Sequence, residues 1–379
     1  MSIIEHAGYF SSLPRDYYTS EEIFETEVSR VFETQWIYVG HTCQVRNPGD
    51  YFVARAATES LIVVCDHDRR VRAFFNTCRH RGSELCTQGT SGAAKQFVCP
   101  YHRWSYGLDG RLLGAPGSRD GVDLDYAAWP LQEAACEVFH GQIHVHLGEP
   151  QASVATLLGD RVREQDLVAI ASERVKLVQE KRYAINANWK LALENNAECY
   201  HCAGAHPELA VACDYTGWFK DTDGLARDDE RKHNPGHFPL RPGMKTFSLD
   251  GEWVCKKFLG SPQAEGFSVT YVLTPVYVAV GYFADHAVNL ALHPVDKDHT
   301  ELLAQWFVHE EAVEGIDYEL DRVMGVFDAT NREDVALIEG NQRGVRSRRF
   351  IPGPNSATRE DFLQVALGQY LELMDNDPA

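Results

Sequence analysis

The chain has 379 residues, 44% hydrophobic and 24% charged, which excludes disorder, collagen and coiled coil as whole-chain descriptions and leaves room for more than one domain. Its 36 Lys and Arg against 55 Asp and Glu give a formal net charge of −19, which repels phosphate backbones, so nucleic acid is not expected as a partner. The opening residues carry no Lys or Arg before Arg15 and no apolar core, and no run approaches the roughly 18 apolar residues of a spanning helix. Neither a signal peptide nor a membrane span is expected, and a cytoplasmic location is. Ten cysteines in such a chain are expected as thiols or metal ligands, not as a disulfide framework, and four of them fall between Cys65 and Cys99.

Thr19 three residues before Glu22 makes a capping-box pattern, and Phe24, Val28, Val31, Phe32 and Trp36 follow at helical spacing, predicting a helix over 20–35. The texture then changes to short apolar runs, at 51–54, 61–64, 71–75 and 143–146, broken by Pro-Gly-Asp, Asp-His-Asp and Gly-rich segments. These predict a compact antiparallel β domain, closed by Glu149-Pro150 and followed by a helix over 154–171. Beyond it, strands are predicted over 176–185, 267–273, 276–283, 289–294 and 301–309, and helices over 189–202, 311–327, 333–346 and 359–374. Strands bunched between helices predict an α+β domain with a helix-covered antiparallel sheet, and the polar 222–243 stretch reads as a long surface loop or lid.

Two Cys-His pairs lie in the β region, Cys78-x-His80 and Cys99-Pro-Tyr-His102. A [2Fe–2S] cluster with thiolates on one iron and imidazoles on the other needs this donor set on two loops. A structural Cys₂His₂ zinc site uses the same ligands, but zinc fingers pair Cys with Cys and His with His, whereas each pair here is mixed. Cys86 reads as a buried thiol packed near the first loop.

The runs Cys-x-His-Arg-Gly and Cys-x-Tyr-His-x-Trp-x-Tyr-x-Leu-Asp-Gly resemble the Rieske domain of bacterial Rieske non-haem iron oxygenases. A second constellation supports a matching catalytic domain. Asn188-Trp189-Lys190 opens a predicted helix that carries Glu198, His201 and, past Gly204, His206-Pro207. Five residues apart, the two histidines diverge by roughly 140° on a continuous helix, so the helix is expected to end near Gly204 and turn His206 back. Two imidazoles and one carboxylate make the facial triad of non-haem Fe(II) oxygenases. For the carboxylate, Asp334 competes with its neighbour Glu333, and on the residues alone Asn331-x-x-Asp334 reads first as a helix-capping pattern, with ligation second. Cys199 and Cys202 read as core thiols.

What the resemblance implies is more specific. Glu-Asp followed by Glu339, Gln342, Gly344 and Ser347 is similar to the family segment that supplies the carboxylate, making Asp334 the expected ligand beside His201 and His206. Glu198 stands where the family keeps an acid that relays electrons from the cluster of an adjacent subunit, and its Asn-x-Glu-Cys-Tyr-His-Cys context resembles the subgroup oxidising glycine betaine, stachydrine or carnitine. The implied organisation is residues 1–39 as the N-terminal part of the catalytic domain, 40–150 as an inserted Rieske domain and 151–379 as the mononuclear-iron domain, assembled as a homotrimer. A separate flavin and ferredoxin-type reductase is expected, since no Gly-x-Gly-x-x-Gly fingerprint is present. The expected reaction is O₂-dependent hydroxylation of an N-methyl carbon, leading to demethylation, and a methylated ammonium calls for aromatic faces. Trp218, Phe219, Tyr271, Tyr282, Phe283 and Trp306 are the candidates. An aromatic-ring dioxygenase and a Rieske electron carrier without a second iron are the rival readings.

Overall fold

The computed structural model describes residues 5–6, 8–117, 124–158, 174–214, 240–260 and 278–376. Two compact units divide the chain, Phe32–Leu157 and the combination of Met1–Val31 with Leu158–Ala379. The second opens with two short strands, β1 (Glu5–His6) and β2 (Tyr9–Ser11), ahead of a helix over Glu21–Glu27. Ser20, not Thr19, caps this helix, its Oγ accepting from Ile23 N at 3.4 Å. The helix then widens into a π-helical turn over Val28–Phe32 and stops short of the expected Gln35.

In the Phe32–Leu157 unit the strands are β3 (Trp36–His41), β4 (Asp50–Ala56), β5 (Glu59–Cys65), β6 (Val71–Phe75), β7 (Ser91–Ala93), β8 (Phe97–Val98), β9 (Ser105–Tyr106), β10 (Leu112–Gly114), β11 (Glu133–Phe139) and β12 (Gln142–His146). Seven form an antiparallel sheet in the order β3-β12-β11-β6-β5-β4-β7, and β10-β9-β8 form a second, small one. The uninterrupted Leu61-Ile62-Val63-Val64 run is explained by burial on both faces of the sheet. Ile62, Val64 and Phe74 pack with Phe97, Tyr106, Leu108 and Leu112, and Cys78 and Cys99 sit in that same core. The turn before β10 needs Gly110, which takes φ +80° so close to Phe74 that a Cβ would lie 2.5 Å from the ring.

The other unit is an antiparallel sheet covered by helices. Strands β13 (Val175–Ile185), β14 (Val278–Tyr282), β15 (Ala287–Asp296) and β16 (His299–His309) run in the order β13-β16-β15-β14, with Tyr183 opposite Leu302 and Ala291 opposite Leu303. A last short strand, β17 (Pro354–Ser356), pairs with β2. The two helices expected over 311–327 and 333–346 are one, Leu320–Val345, and residues 311–319 instead form turns closed by Gly315 N to Tyr318 O and Val313 N to Asp317 Oδ2. Nothing in Asn331-Arg-Glu-Asp stops a helix, so the apparent cap lies in the interior. The predicted strand over 267–273 lies outside the described residues, as do most of the 222–243 segment and the 154–171 helix beyond Val154–Leu158.

Three connections fix the helices of this unit. Asn188 N donates to Gln342 Oε1 at 2.8 Å, Asn186 Nδ2 to Glu339 Oε1 at 2.6 Å, and Lys181 and Tyr183 both bind Asp328, so the long helix is tied to β13 and to the start of the Trp189–Asn196 helix. Glu27 is fully buried and accepts from Lys190 Nζ at 2.5 Å, Trp189 Nε1 at 2.7 Å and Tyr370 hydroxyl at 2.6 Å. Burial pushes Lys190 below its ordinary pKa and the Glu27 carboxylate pulls against that shift. Replacing Glu27 by Gln leaves a buried cation without its counter-charge, and unfolding in denaturant should show a loss of about 3–5 kcal/mol. An unchanged midpoint would mean that Lys190 is neutral in the fold.

Candidate metal centres

The two Cys-His loops are built alike from different sequences. Cys78 N donates to Ser83 O and Gly82 N to Cys78 O, while Cys99 N donates to Trp104 O and Arg103 N to Cys99 O, all at 2.8–3.1 Å. In each loop the residue four after the cysteine takes positive φ, +71° for Gly82 and +60° for Arg103. Both sulfurs are thereby turned inward, with Cys78 3% and Cys99 1% exposed, while His80 is exposed and His102 partly so. The imidazoles stand edge to face with centroids 4.5 Å apart, and His80 stacks on Trp104.

The Tyr106 hydroxyl lies 3.3 Å from Cys78 Sγ and accepts from Arg79 N. Burial raises the Cys99 thiol, but the N–H groups of Tyr101 and His102 with Cys78 and Ser83 outweigh it, and its pKa ends below the ordinary value. Asn76 braces the first loop through the N–H groups of Leu85 and Cys86. Buried thiolates and outward imidazoles fit an iron pair whose inner iron takes sulfur and whose outer iron takes nitrogen. Cys86 is half-buried, its thiol pushed up to about 11 by burial and Glu84.

The second constellation forms where the expected 189–202 helix breaks. It ends at Asn196, and the Glu198 carboxylate then takes the N–H groups of Tyr200 and His201, starting a new turn over Cys202–Ala205. The interruption thus precedes His201 instead of falling at Gly204, and the two histidines bracket the short turn. His201 Nε2 lies 3.3 Å and His206 Nε2 3.1 Å from Asp334 Oδ1. Behind each ring stands another acid: His201 Nδ1 meets Glu198 Oε1 at 2.5 Å, and His206 Nδ1 meets Glu333 Oε2 at 2.8 Å.

An acid on each Nδ1 favours the tautomer whose Nε2 lone pair points at Asp334, the carboxylate–histidine–metal arrangement. Glu333 therefore occupies a position behind His206, and Asp334 faces both inner nitrogens. Asn195 Nδ2 completes the set, donating to Asp334 Oδ1 at 3.2 Å. Burial lowers His201, but Asp334 and Glu198 outweigh it and push the ring up to about 9; His206 is raised by Asp334 and Glu333 in the same way. Asp334 is held low by the two imidazoles despite its burial. A divalent cation fits this cluster by displacing the protons those shifts retain.

Cys199 and Cys202 are joined in a disulfide instead of standing as separate core thiols. Cys202 Sγ lies within 4.8 Å of ligand nitrogens of His201 and His206, and the bond to Cys199 withdraws it from the donor set. A cavity of about 790 Å³, solvent at its mouth included, opens beside His201, His206 and Asp334. Phe247, Phe283 and Phe327 wall it, with ring centroids 4.9 to 6.4 Å apart, together with Val288 and Leu290. Of the aromatic candidates, Phe283 lines this cavity, Tyr282 and Trp306 are buried away from its lining, and Trp218, Phe219 and Tyr271 lie outside the described residues. Phe327 was open to prediction, being two turns before Asp334, whereas Phe247 sits in an irregular stretch with no periodic signal.

A family model described as the Rieske [2Fe-2S] domain matches residues 35–130, and one described as the ring hydroxylating alpha subunit, catalytic domain, matches 172–375. The chain belongs to the Rieske non-haem iron oxygenases. It is 32% identical to the glycine betaine monooxygenase oxygenase subunit of Pseudomonas aeruginosa, with 97% of this chain and 90% of that one covered. Identity to the corresponding subunit of Chromohalobacter salexigens is 34%, covering 92% and 82%. Among solved structures, the quaternary ammonium Rieske monooxygenase CntA in complex with L-carnitine shares the fold at TM-score 0.71 and 23% identity, covering 97% and 96%. The oxygenase carries a Rieske cluster and a mononuclear iron, and its family uses O₂, a small substrate and a reductase. Among its described residues no helix is long and apolar enough to cross a membrane.

Cys78→Ala or His102→Ala should abolish the visible absorption of the cluster; retained colour would exclude these residues as ligands. Asp334→Ala should lose the mononuclear iron outright, whereas Glu333→Gln should keep the site and weaken it about 10–100-fold in metal titrations. The reverse ranking would exchange the roles of the two acids.

Proposed function

We propose that this oxygenase hydroxylates an N-methyl carbon of a quaternary ammonium compound of glycine betaine, stachydrine or carnitine type, releasing the demethylated amine. The likeness to glycine betaine monooxygenase oxygenase subunits over nearly the whole chain carries this reading. The phenylalanine-walled cavity supports it. A trimethylammonium group has no N–H to donate, so aromatic faces are its natural partners, through cation–π attraction.

When bound, the mononuclear iron supplies O₂ activation and the cluster supplies electrons one at a time. His201, His206 and Asp334 hold the iron, and Cys78, His80, Cys99 and His102 hold the cluster. Glu198 and Glu333 orient the two iron-binding imidazoles, and the phenyl rings turn a methyl group toward them. One oxygen atom enters the C–H bond and the other leaves as water, using two electrons and two protons. The product carries hydroxyl and nitrogen on one carbon, so its C–N bond breaks to give formaldehyde, the tertiary amine and a proton.

The proposed assembly is a cytoplasmic homotrimer served by a separate flavin and ferredoxin-type reductase, with Glu198 bridging His201 to a cluster histidine of the next subunit. The contact of Glu198 Oε1 with His201 Nδ1 supports one half of that bridge. O₂ uptake by the reconstituted system should depend on methylated amines and yield one formaldehyde per turnover. Uptake with arenes and none with betaines would instead favour ring dioxygenation, which the apolar walls also admit. Glu198→Gln should assemble both centres yet slow single-turnover reoxidation of the pre-reduced cluster, because a charge-assisted hydrogen bond becomes a neutral one. Reoxidation at the wild-type rate with full iron would remove Glu198 from the electron route.

A further inference from the structure

The sheet of the catalytic unit contributes four residues to the cavity: Gly281 in β14, Phe283 just beyond its end, and Val288 and Leu290 in β15. Residues two apart along a strand share a face, and Gly281 lies directly opposite Val288, so the four form one patch of the wall. Three of them present apolar side chains and Gly281 presents none. Nothing in the backbone calls for glycine there. Its φ lies outside the left-handed region, it sits within an unbroken antiparallel ladder from Val278 to Tyr282, and glycine inside a strand is less stable than a residue with a side chain. A Cβ at this position would lie 3.2 Å from Val288 Cγ1 and 3.5 Å from Phe283 Cε2 and Cζ, so it would touch two walls of the cavity and require only a slight shift of Val288. The absent side chain is thus a notch the width of a methyl group between the edge of the Phe283 ring and Val288.

A gap of this kind in an apolar wall forfeits contacts for every atom around it unless something fills it. Water is a poor occupant, because the three nearest atoms are all carbon and a buried water needs two to four polar partners. An alkyl arm fits. Resting on the substrate class proposed above, we infer that Gly281 is a specificity-determining residue, whose notch receives one N-alkyl arm of a quaternary ammonium ligand and sets how wide a head group the cavity admits. Phe247, Phe283 and Phe327 hold one another at centroid distances of 4.9 to 6.4 Å, so the rings fix the rest of the width and position 281 is where a single added carbon changes it. A compact trimethylammonium head can rest on the rings without entering the notch. A pyrrolidinium ring, as in stachydrine, or a head with ethyl arms has to use it. Glycine at 281 therefore gives up some strand stability and gains tolerance for the wider heads.

The test uses holoenzyme with Gly281→Ala and Gly281→Val, titrated calorimetrically with tetramethylammonium, N,N-dimethylpyrrolidinium and tetraethylammonium. Iron content and the thermal midpoint of each variant are recorded alongside. In Gly281→Ala, tetramethylammonium should bind within about twofold of wild type and tetraethylammonium at least about tenfold more weakly, the scale of overpacking by one methyl group, with dimethylpyrrolidinium between them. The thermal midpoint should be equal or higher, because the strand interior gains a side chain. Gly281→Val should steepen the series, and if it fails to assemble the alanine series decides alone. A glycine kept only for close packing predicts the opposite pattern, a lower midpoint with the same loss for all three cations. That pattern, or an unchanged series, overturns the assignment, as does a wild type that binds tetramethylammonium but neither wider cation. A wild type that binds none of the three removes the substrate class together with the notch; wild-type binding of all three with the same relative affinities in the variants removes Gly281 alone.

Discussion

One carboxylate oxygen, Asp334 Oδ1, faces two imidazole nitrogens that the chain presents more than a hundred residues earlier, and the catalytic unit is arranged around that meeting. Two helices of that unit and the contacts between them serve it. The capped Trp189–Asn196 helix sets the direction from which His201 arrives. The Gln342 and Glu339 contacts to the segment ahead of that helix fix the long helix in register with it, and therefore fix Asp334 against the histidines. A slip of one helical residue would rotate Asp334 by about 100° away from them and bring Glu333 or Val335 round instead. The site is as precise as these anchoring hydrogen bonds allow.

Both proposed metal centres solve the same problem with different materials. In the Rieske unit the backbone does most of the work, as two loops of matching hydrogen bonds turn their cysteines inward and leave the imidazoles near solvent. In the catalytic unit side chains do it, with Glu198 and Glu333 standing behind the histidines and choosing which ring nitrogen is left to face inward. The first arrangement keeps sulfur away from water and puts the redox-active edge outward, suiting an electron donor. The second concentrates four acidic or amide groups around two rings, suiting a cation that must stay bound while its remaining positions are open to other molecules.

The features that were legible in the amino-acid sequence are those that local chemistry specifies. Mixed Cys-His pairs, alternating apolar runs and an acid next to a pair of histidines needed no tertiary information. The break before His201 was misplaced because it is made by a side chain, Glu198, capping the backbone two and three residues on, and Gly204 offered a more conventional reason to stop. The long helix reads as two because Asn331-x-x-Asp334 imitates a start signal, whereas both residues lie in its buried interior. The disulfide has no sequence signal of its own, since two cysteines three apart beside His201 read equally well as packing. Phe247 carries no signal at all: it reaches the cavity through an irregular stretch whose course depends on the buried Asp285, which binds Thr246 and the N–H groups of Val254 and Cys255.

Glu27 has a bearing on how such a chain can be made. Its partners lie at 189, 190 and 370, so this carboxylate waits for a tyrosine translated 343 residues later. The Phe32–Leu157 unit, in contrast, finds its strand partners within its own span. On the ribosome that inserted unit is free to complete its core while Glu27 remains without its partners, and the catalytic unit closes only when the Asp361–Asp375 helix, which carries Tyr370, emerges. Closure of so long a loop is slow, as for any contact of high sequence separation. The order of synthesis therefore favours a finished electron-transfer module before there is anything for it to reduce.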